Sequence, residues 1–190
     1  MLIYIHGFNS SALSFKAGLL RKRMAQFRRN AELLTPELPP GPRAAIELLD
    51  ALVTVHQQNV ALIGSSLGGY YATWLAERHR LRAVLVNPAV RPYDLLAEHV
   101  GPQTNLYTGT GYEFTAQHVT ELRELEIDRV TPERYLIMVQ TGDEVLDYRH
   151  AVERYRGCEQ IVIEGGDHGF SDFDAYLERA LLFCGYAERR

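Results

Sequence analysis

Residues 60–72 join a four-residue apolar run to a helical pattern through Gly64-Ser65-Ser66-Leu67-Gly68. A G-x-S-x-G pentapeptide between a strand and a helix is a strong constraint, because few folds accommodate so tight a turn. Ser66 must leave the usual backbone regions, and the residues two positions either side must carry almost no side chain. Such a turn lifts Ser66 Oγ off the end of a sheet and sets it at the N-terminus of the next helix. There, unpaired N–H groups and the helix dipole favour negative charge. A glycine-rich turn without chemistry is the plain alternative, and the rest of the chain weighs between the two.

The flanking pattern is regular. Leu2-Ile3-Tyr4-Ile5 reads as a first strand ended by His6-Gly7, and Ala17, Leu20, Met24 and Phe27 then recur at helical spacing. Leu33-Leu34-Thr35 is a second strand, and Ala45, Leu48, Leu49, Leu52 and Val53 mark a second helix. Four further runs follow: Val60 to Ile63, Ala83 to Val86, Tyr135 to Val139 and Ile161 to Ile163. A last helix carries Phe173, Leu177, Ala180, Leu181 and Cys184, with Ser171 and Asp174 as its capping pair. Residues 91–134 break the rhythm. Their length and polarity predict a small helical excursion over the strand ends, outside the core.

Short apolar strands alternating with helices predict an α/β fold, with a parallel sheet covered on both faces. The expected sheet has six strands in the order 2-1-3-4-5-6, within a single domain spanning residues 1–190. Strands one and three then adjoin at the switch point, which brings the loop from His6 to Ser10 beside Ser66.

Composition narrows the partners. A net charge of −4 argues against nucleic acid or an anionic membrane, and no apolar run is long enough to span a bilayer. Residues 1–6 lack the basic start and apolar length of a signal peptide. Cys158 and Cys184 form no metal or redox spacing and read as free thiols, so the cytoplasm is the expected compartment. The sequence carries no signal for oligomeric state.

An activated serine needs a base, and the base needs an orienting group. In the α/β-hydrolase layout these follow in the order Ser, Asp or Glu, His, each after a strand. Here the fifth strand is followed by Gln140-Thr141-Gly142-Asp143-Glu144-Val145, and the sixth by Gly165-Gly166-Asp167-His168-Gly169-Phe170. His168 is the expected general base and Asp143 its partner. Glu144, Asp147 and Asp167 are rival acids. Asp147 opens a helix and suits an N-cap, and Asp167 adjoins the histidine too closely to reach its ring. The backbone N–H groups of Phe8 and Leu67 are the expected oxyanion hole, each such donor contributing roughly a hundred- to a thousandfold in rate. Phe8, Asn9, Asn87 and Pro88 are expected to line the mouth of the crevice, with His6 propping its loop. His6 and His168 have no metal-ligand spacing, and no Walker or G-x-G-x-x-G loop is present, so no metal or cofactor is expected.

Taken together, His6-Gly7-Phe8-Asn9-Ser10-Ser11, Gly64 to Leu75, Val86-Asn87-Pro88-Ala89-Val90-Arg91-Pro92, Gln140 to Tyr148 and Ile163-Glu164-Gly165-Gly166 with His168 resemble the YqiA-type bacterial esterases, a compact α/β-hydrolase family. The resemblance spans essentially the whole chain. It implies a serine esterase with little or no lid, whose triad falls on Ser66, Asp143 and His168. Asp167 departs from the family pattern, and an extra carboxylate beside the histidine is expected to move the pH optimum upward. The expected activity is cofactor-independent hydrolysis of small carboxylic esters with short to medium acyl chains. An acyl-thioesterase of the acyl-CoA type is the alternative chemistry, with Arg91 suited to a phosphate-bearing leaving group. A catalytically silent binding protein is the alternative from another class.

Overall fold

A computed structural model describes residues 1–56 and 59–186. Six parallel strands form the central sheet: β1 (Leu2–Ile5), β2 (Leu33–Leu34), β3 (Ala61–Ser65), β4 (Arg82–Val86), β7 (Tyr135–Gln140) and β8 (Glu159–Ile163). Their order is β2-β1-β3-β4-β7-β8. This is the expected 2-1-3-4-5-6 arrangement, with two additional strands, β5 (Gly101–Thr104) and β6 (Gly111–Phe114), inserted in the chain between the fourth and fifth of the series.

The period-two alternation of each strand divides the core in two. Ile3, Ile5, Leu62, Leu85, Ile137 and Val139 face one side, where α2 (Pro42–His56), α3 (Leu67–His79) and α6 (Tyr148–Arg154) contribute Leu49, Val53, Leu75 and Ala151. Leu2, Tyr4, Ile63, Val84, Leu136 and Met138 face the other, against Leu20 and Met24 of α1 (Phe15–Gln26) and Leu177 and Leu181 of α7 (Leu177–Phe183). Register aligns Ile5 with Gly64 and Ser65 with Val86, so the C-terminal ends of β1, β3 and β4 share one rim of the sheet.

Two expectations need correction. Residues 91–134 are not wholly helical. After the short α4 (Pro92–Leu96) comes an antiparallel hairpin, β5 (Gly101–Thr104) with β6 (Gly111–Phe114), and then α5 (Ala116–Glu124). Local chemistry explains the turn: Asn105 Oδ1 accepts the Tyr107 and Thr108 N–H groups, and Gly109 takes a φ of 69° that favours glycine. Nor does the segment stay outside the core, since Phe114 and Leu122 are fully buried and Tyr70 Oη donates to the Leu122 carbonyl at 2.8 Å. Second, Ser171 and Asp174 do not cap the last helix. A 3₁₀ turn at Phe173–Ala175 precedes α7, because burying Phe170 and Phe173 beside Leu177 draws the chain inward before the helix begins. Cys158 and Cys184 are both free.

Candidate active site

Between the end of β3 and the start of α3, Ser66 has φ 54° and ψ −122°. Such a conformation costs a non-glycine residue about 1–3 kcal/mol and persists only where its surroundings enforce it. Here the Ser66 N–H donates to the Val86 carbonyl at 3.0 Å, while its own carbonyl accepts from Gly69 at 2.9 Å and Ala89 at 3.1 Å. The two framing glycines are steric necessities. A Cβ on Gly64 would lie 2.3 Å from the Gly68 carbonyl oxygen, and one on Gly68 only 2.1 Å from that of Ile5.

The strand ends bring three distant side chains into one hydrogen-bonded chain. His168 Nδ1–H donates to both carboxylate oxygens of Asp143, each at 2.9 Å, and Nε2 stands 3.1 Å from Ser66 Oγ. Pairing Nδ1 with a carboxylate leaves Nε2 as the acceptor for the serine hydroxyl. The Asp143 side chain is almost completely buried. Burial raises its affinity for a proton, but hydrogen bonds from His168 and from the Leu146 and Val145 N–H groups outweigh that and hold it below the ordinary carboxylate value.

The rival acids have other partners. Glu144 accepts the His168 backbone N–H at 2.9 Å, and Asp147 caps α6 while pairing with Arg149. Asp167 acts electrostatically on Lys16, an almost buried lysine on α1 whose Nζ donates to the Gly169 carbonyl. Burial brings that ammonium down to about 8, and the Asp167 carboxylate opposes the shift. Asp167, expected to act on the histidine, thus has a second charge to answer.

Asn87 does not line a mouth. It is 2% exposed, and its side-chain amide donates to the Asp167 and His168 carbonyls at 3.0 and 3.2 Å while accepting the Gln140 N–H at 3.0 Å. A buried amide at a strand end must satisfy its hydrogen bonds locally, and here it does so by bracing the histidine loop. Gln140 shares the task, its Oε1 accepting the Asp167 N–H at 2.9 Å. Sequence reading missed Gln140, Lys16 and Glu144 as braces. The one available signal was a glutamine ending an otherwise apolar strand.

The loop after β1 lies against the serine, since a Cβ on Gly7 would be 3.1 Å from that of Ser66. His6 is buried, with Nδ1–H donating to the Gly7 carbonyl at 2.9 Å and Nε2 accepting the Leu38 N–H at 3.2 Å. Burial lowers its pKa against the opposing pull of the Gly7 carbonyl and Glu37, so the ring is neutral and props the loop. The hairpin clamps the same loop from above. Tyr112 Oη donates to Asn9 Oδ1 at 2.6 Å, Asn9 Nδ2 donates to Gln103 at 3.1 Å, and Asn105 Nδ2 donates to the Ser10 carbonyl at 2.7 Å. The Phe8 ring meets Tyr112 and Phe114 edge-on. Asn9, at φ 52°, is therefore held by contacts from another element.

Residues next to Ser66 in space line two cavities. Gly7, Phe8, Asn9 and Leu67 line one of about 230 Å³, and Pro88, Ala89, Val145 and Leu146 line another of about 650 Å³. Phe8, Asn9 and Leu67 thus share one cavity, while Pro88 lies on the other. Among the described residues, no helix is long and apolar enough to cross a membrane.

The profile of a family described as "Uncharacterised protein family (UPF0227)" matches residues 1–185. A UPF0227 protein of Citrobacter koseri is 27% identical over 189 residues, covering 96% of this chain and 98% of the relative. Among solved structures, Est1E from Butyrivibrio proteoclasticus with ferulic acid bound superposes with a TM-score of 0.66 at 15% identity, over 95% of this chain and 85% of that one. Mouse alpha/beta hydrolase domain-containing protein 10 gives a TM-score of 0.66 at 18% identity, over 97% and 86%. The chain has the α/β-hydrolase fold.

Proposed function

The chain belongs to the UPF0227 family, and we propose that it is a serine hydrolase cleaving carboxylic esters of short to medium acyl chains. One observation carries the reading: Ser66 Oγ stands 3.1 Å from His168 Nε2, and the same ring is held by a buried carboxylate. In the proposed reaction Oγ attacks the ester carbonyl carbon while Nε2 takes its proton. The Phe8 and Leu67 N–H groups stabilise the oxyanion. The C–O bond to the alcohol breaks as Nε2 protonates the departing oxygen. Water, deprotonated by the same nitrogen, then releases the acid and restores Ser66.

The resemblance to YqiA-type esterases supports the same reading, and so does the fold shared with Est1E. An acyl-CoA thioesterase gains less support: Arg91 lies 2.9 Å from Asp94, so its charge is already matched. A fluorophosphonate probe tests the proposal. It should modify wild-type protein at Ser66 and leave Ser66→Ala unmodified. Folded wild-type protein that resists the probe would instead be the silent binding protein.

A further inference from the structure

The two cavities near Ser66 differ in size and in what forms their walls. The smaller, about 230 Å³, includes Gly7, Phe8, Leu67, Tyr71 and Tyr112 in its walls. Its roof is the hairpin, which hydrogen bonds from Tyr112, Gln103 and Asn105 fasten to Asn9 and Ser10. A pocket roofed by so fastened a hairpin has little freedom to lengthen on that side. The larger, about 650 Å³, is walled by Pro88, Ala89, Val90, Leu95, Val145 and Leu146. Leu95 and Val145 leave an exposed apolar rim on it. One wall residue of each cavity adjoins Ser66: Gly7 of the smaller packs on it, and the N–H of Ala89 of the larger donates to the Ser66 carbonyl at 3.1 Å.

The position of the base decides which half of an ester goes where. After attack, His168 Nε2 holds the serine proton and must hand it to the departing oxygen, so the alcohol lies on the histidine side. That side is the Asp143 loop, whose Val145 and Leu146 N–H groups bind the carboxylate orienting the histidine. The same two residues wall the larger cavity. Phe8 and Leu67, the proposed oxyanion donors, wall the smaller one. The charges around the large cavity are already matched: Asp94 with Arg91, Asp147 with Arg149, and Glu153 with Arg156. The Arg154 guanidinium donates to the Ile127 and Asp128 carbonyls. Apart from His150 and Arg154, the recognition surface left over is apolar.

Building on the hydrolase reading, we infer that the substrates are esters of a short acid with a larger, apolar alcohol. The acyl group enters the hairpin-roofed pocket and the alcohol the groove between Pro88 and Leu146.

Hexyl acetate and ethyl hexanoate test this, because they are isomers that place the same atoms on opposite sides of the ester bond. The full chain should show a kcat/KM at least about tenfold higher for hexyl acetate, and Leu95→Trp, which narrows the groove, should bring the ratio toward one. Equal rates, a preference for ethyl hexanoate, or a ratio untouched by Leu95→Trp would overturn the assignment while fluorophosphonate still labels Ser66. Absence of both hydrolysis and labelling would overturn the hydrolase reading itself, and the assignment with it.

Discussion

Tyr112 Oη lies 2.6 Å from Asn9 Oδ1, joining β6, the second strand of the inserted hairpin, to the loop that carries the proposed oxyanion donor Phe8. Burial pushes the Tyr112 phenol up to about 12, so it stays protonated and donates at all physiological pH. Removing that donor with Tyr112→Phe should lower kcat for a short ester about tenfold, near the upper end of what one hydrogen bond supplies. KM should stay within about threefold. An unchanged kcat would show that the loop holds its position without the hairpin.

Asn87→Ala strips the Gln140 N–H of its acceptor and two carbonyls of the histidine loop of their donor. Leaving such buried groups unpaired should cost about 2–4 kcal/mol in denaturant unfolding. Asn87→Asp should fare little better, because it keeps the acceptor yet sets an oxygen against the two carbonyls. A loss below about 1 kcal/mol for both variants would mean that the brace is redundant.

Asp143 and Asp147 sit four residues apart and have different partners. Asp143→Asn cannot hold the histidine in the same tautomer, and kcat should fall by about 10³ to 10⁴. Asp147→Asn loses only the ion pair with Arg149 and part of a helix cap, so kcat should stay within about threefold. Reversal of these two outcomes would move the acid to residue 147.

The depressed pKa of Asp143 also has a signature in stability. A group more acidic folded than unfolded contributes fully above its unfolded value, here 3.8, and that contribution is lost as pH falls through the lower folded value. The stability difference between wild type and Asp143→Asn should therefore change in the direction of less wild-type advantage below about pH 4. A difference that is the same at all pH values would show that the carboxylate gains nothing from its neighbours.

The parallel sheet was legible because its strands are near-continuous apolar runs ended by glycine, asparagine or proline. Leu2–Ile5, Ala61–Ser65 and Tyr135–Gln140 are buried from end to end. The elbow was legible because only glycine fits at 64 and 68, and sterics of that severity mark the sequence. The hairpin was not, because each strand has four residues and Phe114 is the one among them that is buried. Half-exposed strands that short carry too little alternation to read. Asn87, expected at the mouth, turns inward instead. Its inward turn depends on two carbonyls about 80 residues away, a pairing that no local pattern announces.

In the proposed hydrolysis Ser66 Oγ forms a covalent bond to the acyl group. Acid-quenching the protein during turnover of a butyrate aryl ester, then measuring the mass of its peptides, tests this directly. A butyryl group should appear on the peptide containing Ser66, with both adduct and turnover lost in Ser66→Ala. Turnover that persists unchanged in Ser66→Ala, with no acylated peptide in the wild type, would contradict it.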